Sequence, residues 1–438
     1  MLDKFNNIEH LYGEVLIDGK SLGNCFYVFE YNPYDTQSMY ITLYDPPNGM
    51  PSGPESPPVK VVTECQWGFY EMGLHEELIG SKWSGKGNQC HAPVLSFLKK
   101  QHLRIKDVKD VSSKISITYL FPLTSITDVK SGYMMHSSFG LIRGDYDHEK
   151  QVIKPFEDKI ELVYANLKIT IGDEFDFQET KHNIYPQHHI VRKSFLSVET
   201  GLNEQENVDD KVAGIDHQIS CIFNIISLIE YNWIDWHTRK YFAAKSTSED
   251  EEIVEYYRNV KPPTSKYRPY YNEFPERRRT LQMLLERYEK LDPDKQKLVD
   301  RTIQNFKIAN CSQTLDTKLI HWHSCLDFFI KALGVNENSF SKRLVKAFDE
   351  QNLEIDDLLP EKELKEIRKG IQKEMKVNDF DFAELRNKYI HEGFDSLVGR
   401  YHEVIEHHRT MRALAERLLL NYMGVDYRDT SLGRYCVH

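Results

Sequence analysis

The run Phe382-Ala-Glu-Leu-Arg-Asn-Lys-Tyr-Ile-His-Glu-Gly393 decides how the C-terminal half of this chain is read. Phe382, Leu385 and Tyr389 recur at helical steps, which predicts a helix with one apolar stripe held against a core. Asn378 is placed to cap its start, Asp379 and Asp381 suit its positive end, and Gly393 supplies the stop. Each residue turns such a helix by about 100°, so Asn387 and His391 share a face while Arg386 stands to one side of them. All three can border one cleft.

Outward from this run the pattern stays helical. Leu315, Leu319, Trp322, Leu326, Phe329 and Leu333 trace one seam along a helix. Further helices are expected at Ser339–Glu350, Glu361–Met375, Asp379–His391 and Val398–Tyr422, with another at Arg277–Tyr288. This succession predicts a helical bundle with the polar run on its penultimate helix.

The order Arg, Asn, three residues, His resembles the Arg-x4-His signature of HEPN domains, an all-helical family of ribonucleases and nucleotidyltransferase partners. The Apea-like HEPN variant is the most similar. The resemblance covers roughly residues 279–424 and is most specific at Arg386–Gly393. It implies metal-independent RNA cleavage by Arg386 and His391, with Asp327 at the place where the family carries an acidic residue, commonly Glu. Asp327 would orient Arg386 or His391. The β-rich layout before the helices also resembles that of ApeA-type anti-phage proteins, through Tyr12-Gly13 and Gly19, which implies an N-terminal sensor of a phage-derived trigger.

The residue types fit that chemistry. Attack by the RNA's own 2′-hydroxyl needs a group near neutral pKa to move protons and a fixed cation for the phosphorane charge, and His391 and Arg386 are such groups. At the end of its helix His391 is favoured as imidazolium, and so as an acid. Asn387 is placed to bond the phosphate or the imidazole. The competing reading pairs Arg386 with Glu384 or Glu392 on a solvated face, and leaves a non-catalytic helical scaffold whose β domain binds a ligand or partner protein.

With 438 residues the chain is long enough for two or three domains. Its formal charge of −11 argues against indiscriminate nucleic-acid binding and makes any RNA contact local. The longest apolar run, Cys221–Ile229, is too short to span a bilayer, and Met1 begins no charged-then-apolar leader. Seven scattered cysteines without a Cys-x-x-Cys pair read as reduced thiols of a cytoplasmic protein. Cys90 and His91, with Cys65 or His75 nearby, lack the second tight pair that zinc needs, so no metal or other cofactor is expected.

Residues 1–200 read as strands. Met39–Tyr44, Lys114–Leu123 and Ile160–Thr170 carry β-branched and aromatic runs, which predict a β-rich domain of sandwich or barrel-like form. Six prolines between Asp45 and Pro58 mark a long surface loop. Gly80–Gly87, Gly-Ser-Lys-Trp-Ser-Gly-Lys-Gly, approaches a P-loop but has Gly87 where Ser or Thr must hold Mg²⁺.

Residues 201–212 are acidic and read as a linker, and 213–278 as a helical connector. Within that connector the apolar face of Ile219–Tyr241 predicts one helix, with Trp233 and Trp236 in its core. Lys261–Arg279 carries six basic residues against two acidic ones among tyrosines. Lys266, Tyr267, Arg268, Arg277, Arg278 and Arg279 form a candidate RNA contact, since aromatic faces stack on bases and cations hold phosphates. The alternative is a solvated proline-rich loop. The expectation is therefore an α+β chain: a β-rich N-terminal domain, then a HEPN-like helical bundle at 279–438, acting as a homodimeric endoribonuclease on RNA such as tRNA, away from membranes.

Overall fold

The computed structural model describes residues 7–32, 35–67, 72–86, 88–104, 113–121, 126–128, 135–137, 140–142, 144–147, 152–155, 159–182, 185–203, 205–231, 233–244, 250–258, 274–312, 314–359, 401–430 and 432–433, with single positions at 365, 392 and 399. It divides into two compact units, residues 1–218 with 235–262, and residues 219–234 with 263–438.

The first unit is built on antiparallel strands: β1 (Asn7–Ile17), β2 (Lys20–Asn32), β3 (Asp35–Tyr44), β4 (Val59–Trp67), β5 (Met72–Gly80), β6 (Ser84–Lys86) and β7 (Gln89–Arg104). After them come β8 (Lys114–Phe121), β9 (Ile126–Asp128) and two hairpins, β10 (Met135–Ser137) with β11 (Gly140–Ile142) and β12 (Gly144–Asp147) with β13 (Val152–Pro155). The strands β14 (Lys159–Tyr164), β15 (Leu167–His182) and β16 (Tyr185–Gly201) complete the N-terminal run.

β7, β3, β2, β1, β4 and β5 pair in that order, and β5 returns to β7, closing a six-strand barrel. Closure removes the unpaired edges that an open sheet exposes. Alternation drives it: on β1 the odd residues Gly13 and Val15 are buried while Tyr12 and Glu14 face out. Val15, Phe29, Ile41, Leu43, Val61, Leu78, Val94 and Phe97 fill the interior. The β1–β2 turn uses Asp18 (φ 50°) and Gly19 (φ 75°), the Asp-Gly pair that a two-residue hairpin favours.

The β-rich, barrel-like expectation for this region therefore holds. Residues 45–58 form the expected loop, pinned where Gly53 N–H donates to the Trp83 carbonyl (2.8 Å) and Trp83 N–H to Ser56 Oγ (2.9 Å). The glycine-rich Gly80–Gly87 stretch leads into strand β7, where a P-loop requires a helix.

β7 is long enough to serve two neighbours, since its far half pairs with β18 (Asp250–Arg258). From there the sheet continues through β17 (Thr238–Ala244), β8, β16, β15 and β14. Ile160–Thr170 is strand as expected, folded as a hairpin, because Ala165 (φ 49°) and Asn166 (φ 63°) both adopt the left-handed conformation that a tight turn needs. One expectation is corrected here. The predicted helix Ile219–Tyr241 ends early, because Tyr231 turns to φ 50° and Thr238–Ala244 pairs with β8 and β18 as a strand. Residues 213–258 are accordingly part helix and part sheet.

α1 (Val208–Ile229) begins inside the stretch read as a linker, and its acidic Asp209 and Asp210 sit in the first turn, where the helix dipole favours them. Asp216 on α1 accepts from Tyr119 Oη (2.7 Å) and pairs with Arg239, so the start of the helix is tied to β8 and β17. Among the described residues α1 is long and apolar enough to cross a membrane, but 67% of that window is buried within the protein.

The second unit is helical, as expected for the C-terminal region: α2 (Phe274–Glu289), α3 (Pro293–Cys311), α4 (Leu315–Ala332), α5 (Phe340–Glu350) and α6 (Tyr401–Tyr422). Asp292, Thr314 and Ser339 cap α3, α4 and α5 through their side-chain oxygens. Residues 410–420 of α6 are buried on every side, which makes α6 the central helix of the described part. α4 packs against it along the predicted Leu319, Trp322, Leu326 and Phe329 seam. Trp236 is buried in the first unit as expected, while Trp233 is half-buried with Lys307 Nζ 5.5 Å from its ring.

Candidate functional site

Asp327 lies on α4, on the turn after the seam residue Trp322. Its Oδ1 accepts from Arg343 Nε (3.0 Å) and Nη2 (2.7 Å), and its Oδ2 lies 2.7 Å from Lys331 Nζ. Burial alone would raise its pKa, but the hydrogen bonds from Lys331 and Arg343 override it and hold the carboxyl below the ordinary aspartate value. Arg343 also donates from Nη1 to the Glu337 carbonyl (2.6 Å), and Glu337 pairs with Lys346 (2.9 Å). Together Lys331, Glu337 and Arg343 line a polar pocket of about 590 Å³ with Asn336 and Asn338. Both oxygens of Asp327 thus engage cations of α4 and α5, and this carboxylate fastens one helix to the other.

Arg386, Asn387 and His391 lie outside the described residues, as do Lys266, Tyr267 and Arg268. The expected helices at Glu361–Met375 and Asp379–His391 also fall there, apart from the exposed Lys365. Arg277, Arg278 and Arg279 stand near the start of α2, and the Arg279 side chain is exposed. Of the residues singled out from the sequence, the structure supplies partners for Asp327.

Two features of the barrel were not read from the sequence. On its outer face Tyr12 pairs across to Phe26, and Phe26 to Tyr44. The Tyr12 and Phe26 rings are 4.7 Å apart, and the three side chains are 50%, 65% and 38% exposed. Such a row on one sheet face is a recognition surface in form, since exposed apolar patches on monomers often mark binding. Inside the barrel, the buried Glu76 faces Lys99 Nζ at 3.2 Å, and Lys99 also reaches Glu9 at 3.2 Å. Burial first, and then the Glu9 carboxylate, push Glu76 up to about 7 against the pull of Lys99. The signal for both lay in alternation, but pairing partners far apart in sequence had to be known first.

Among the described residues no group of three or more His, Cys, Asp or Glu is arranged to hold a metal ion. Among the described residues, cysteines 25, 90, 221, 311 and 325 form no disulfide. No protein-family model, curated protein or solved structure matches this chain.

Proposed function

We propose that the chain is a metal-independent endoribonuclease of HEPN type. More particularly, it is a homodimeric cytoplasmic effector of anti-phage abortive infection, damaging host RNA such as tRNA. The observation that carries this reading is the run Arg386-Asn387-x3-His391 ahead of Gly393, within a C-terminal region that is helical. His391 exchanges protons with the 2′-hydroxyl and the leaving oxygen, and Arg386 holds the charge that develops on phosphorus. Asn387 steadies the phosphate or the ring. Lys266, Tyr267, Arg268 and Arg277–Arg279 guide the RNA strand. The β unit receives the phage-derived trigger, and the exposed row Tyr12, Phe26 and Tyr44 supports a recognition role for it.

The test is cleavage of RNA by the purified, activated chain in excess EDTA. Products should end in 2′,3′-cyclic phosphate with a free 5′-hydroxyl, and His391→Ala and Arg386→Ala should each lower the rate by about 10²- to 10⁴-fold. A requirement for Mg²⁺, or 5′-phosphate ends, overturns the mechanism. Full activity in both folded variants places the catalytic site elsewhere, whereas no cleavage by the wild-type chain leaves the β unit as a binding module on a helical scaffold.

A further inference from the structure

The outward face of the barrel over β1, β2 and β3 collects apolar side chains that a solvated sheet would keep polar. Ile8, Tyr12, Phe26, Tyr40, Tyr44 and Leu95 are six of the nine large apolar side chains exposed among the described residues. All six stand on the pairing strands β1, β2, β3 and β7. Scattered singly such residues need no explanation, but gathered on one face they mark a binding surface.

Carboxylates bracket this face. Glu14 follows Tyr12 by two residues on β1 and so projects from the same side of the sheet, and Glu30 on β2 lies directly across from Tyr40 on β3. The register pairs Glu30 with Ile8, six residues before Glu14. The two carboxylates therefore stand about 20 Å apart along the strands, with the row Tyr12, Phe26 and Tyr44 between their levels. Both are exposed, and neither makes an ion pair among the described residues.

The face lacks cations of its own. No Lys or Arg occurs on β1 from Ile8 to Glu14, on β2 from Asn24 to Glu30 or on β3 from Tyr40 to Tyr44. Lys60, on the neighbouring β4, is held by Glu77 at 2.6 Å. Nucleic acid is a poor occupant for such a surface, because its phosphates draw their affinity from Lys and Arg. The same face of a second copy would bring the same carboxylates against these. Aromatic rings beside unpaired carboxylates suit a cation, and above all a guanidinium, which stacks on a ring and forks to a carboxylate.

We infer that the outer face of β1–β3 is a docking surface for an extended, arginine-bearing segment of a partner protein. Guanidinium groups sit on Tyr12, Phe26, Tyr40 and Tyr44 and pair with Glu14 and Glu30. An extended segment rises about 3.3 Å per residue, so arginines about six residues apart reach both carboxylates. This inference rests on the recognition role proposed for the β unit and gives its partner a chemistry.

The experiment measures fluorescence anisotropy of labelled Arg-Gly-Ser, Lys-Gly-Ser and Glu-Gly-Ser repeat peptides, and of oligouridine, with the full chain. The arginine peptide should bind saturably and more tightly than the lysine peptide, and the glutamate peptide should not bind. Glu14→Gln with Glu30→Gln should weaken the arginine peptide at least tenfold. The matched pair Glu161→Gln with Glu199→Gln, exposed on β14 and β16, removes the same charge elsewhere and should leave binding unchanged. Phe26→Ala should weaken binding about two- to fivefold, the scale of an exposed cation–π contact, while Phe26→Tyr keeps the ring and the affinity. These side chains are exposed, so each variant should melt like wild type. Binding is read without RNA cleavage, so a chain that binds the peptide at this face but never cuts RNA supports the surface and refutes the nuclease. No saturable binding, equal affinity for the arginine and lysine peptides, or equal losses in the two double variants overturns the surface. Oligouridine binding that Phe26→Ala weakens would give the face to RNA and overturn it as well.

Discussion

Arg417 and Asp357 form a two-bond fork, with Nη1 donating to Oδ1 at 2.7 Å and Nη2 to Oδ2 at 2.6 Å. The same guanidinium donates from Nε to the Gly433 carbonyl (2.7 Å) and from Nη1 to the Glu354 carbonyl (2.8 Å). Arg417 is 1% exposed, so one side chain of the central helix α6 ties together the segment after α5 and the segment that follows α6.

Replacing Arg417 with leucine should therefore be severe, because it strands two backbone carbonyls and a carboxylate. The expected loss is about 3 kcal/mol, the range for breaking a buried ion pair. Asp357→Asn should cost less, about 1 kcal/mol, since its amide oxygen still accepts from the guanidinium and the Asp357 side of the pair is half-exposed to water. The hydrogen bond from Arg417 holds the Asp357 pKa below the ordinary value. Its contribution is accordingly present above the unfolded aspartate pKa of about 3.9 and fades as pH falls below it. Chemical denaturation of the variants, read on the helical unit, checks the ranking. Equal losses for Arg417→Leu and Asp357→Asn would contradict it.

Gly13 is the second position where one substitution should tell. A Cβ built there would lie 2.6 Å from Thr63 Oγ1 and 2.6 Å from the Val62 carbonyl oxygen, so the β1–β4 approach depends on its absence. Thr63 is itself held by Tyr27 Oη at 2.6 Å and cannot turn away freely. Gly13→Ala should cost about 2 kcal/mol as an overpacked contact with backbone on one side. Gly19→Ala, with open space around it but φ 75°, tests conformational strain alone, and about 1 kcal/mol is expected. Thermal melts that rank Gly19→Ala above Gly13→Ala would refute the close-approach argument.

Glu76 makes the barrel's stability depend on pH. Its folded pKa of about 7 lies above the unfolded glutamate value of about 4.3, so the folded state holds the proton more tightly. The stability linked to that proton is full below about pH 4.3 and is lost as pH rises toward 7, a change of at most roughly 4 kcal/mol. Glu76→Gln keeps the shape and removes the titration, leaving Lys99 to pair with Glu9. Stability measured from pH 4 to 8 should fall for wild type and stay flatter for the variant. Parallel curves would mean that Glu76 is ionised throughout.

What could be read from the chain follows how local each determinant is. The α4 seam was legible because Leu319, Trp322, Leu326 and Phe329 repeat at the helical period, and the helix expected at Ser339–Glu350 is α5. By contrast, Ala165–Asn166 hid a hairpin, because neither residue is the glycine that usually marks a left-handed turn. The helix expected through Tyr241 failed for a related reason. Its apolar spacing suits a helix, yet β-sheet pairing of Thr238–Ala244 with the distant β8 and the following β18 outweighs that preference. Site geometry divides the same way: Asp327 with Lys331 is an i, i+4 pair open to inspection, whereas Arg343 arrives from another helix. Closure of the barrel through β5 and β7 is likewise a tertiary fact with no local mark.

The proposed nuclease makes a prediction about assembly. One Arg and one His are a sparse set for phosphoryl transfer, while a two-fold axis near His391 would place two of each around one phosphate. Cleavage should then require the dimer. If Arg386 of one protomer works with His391 of the other, co-expressed Arg386→Ala and His391→Ala chains should regain activity, because random mixing makes about half the dimers heterodimers with one complete pair. Recovery in the mixture, absent from each variant alone, establishes a shared site. Proven heterodimers without recovery would mean that each protomer uses its own pair or that all four residues are needed, and a fully active monomer would refute sharing outright.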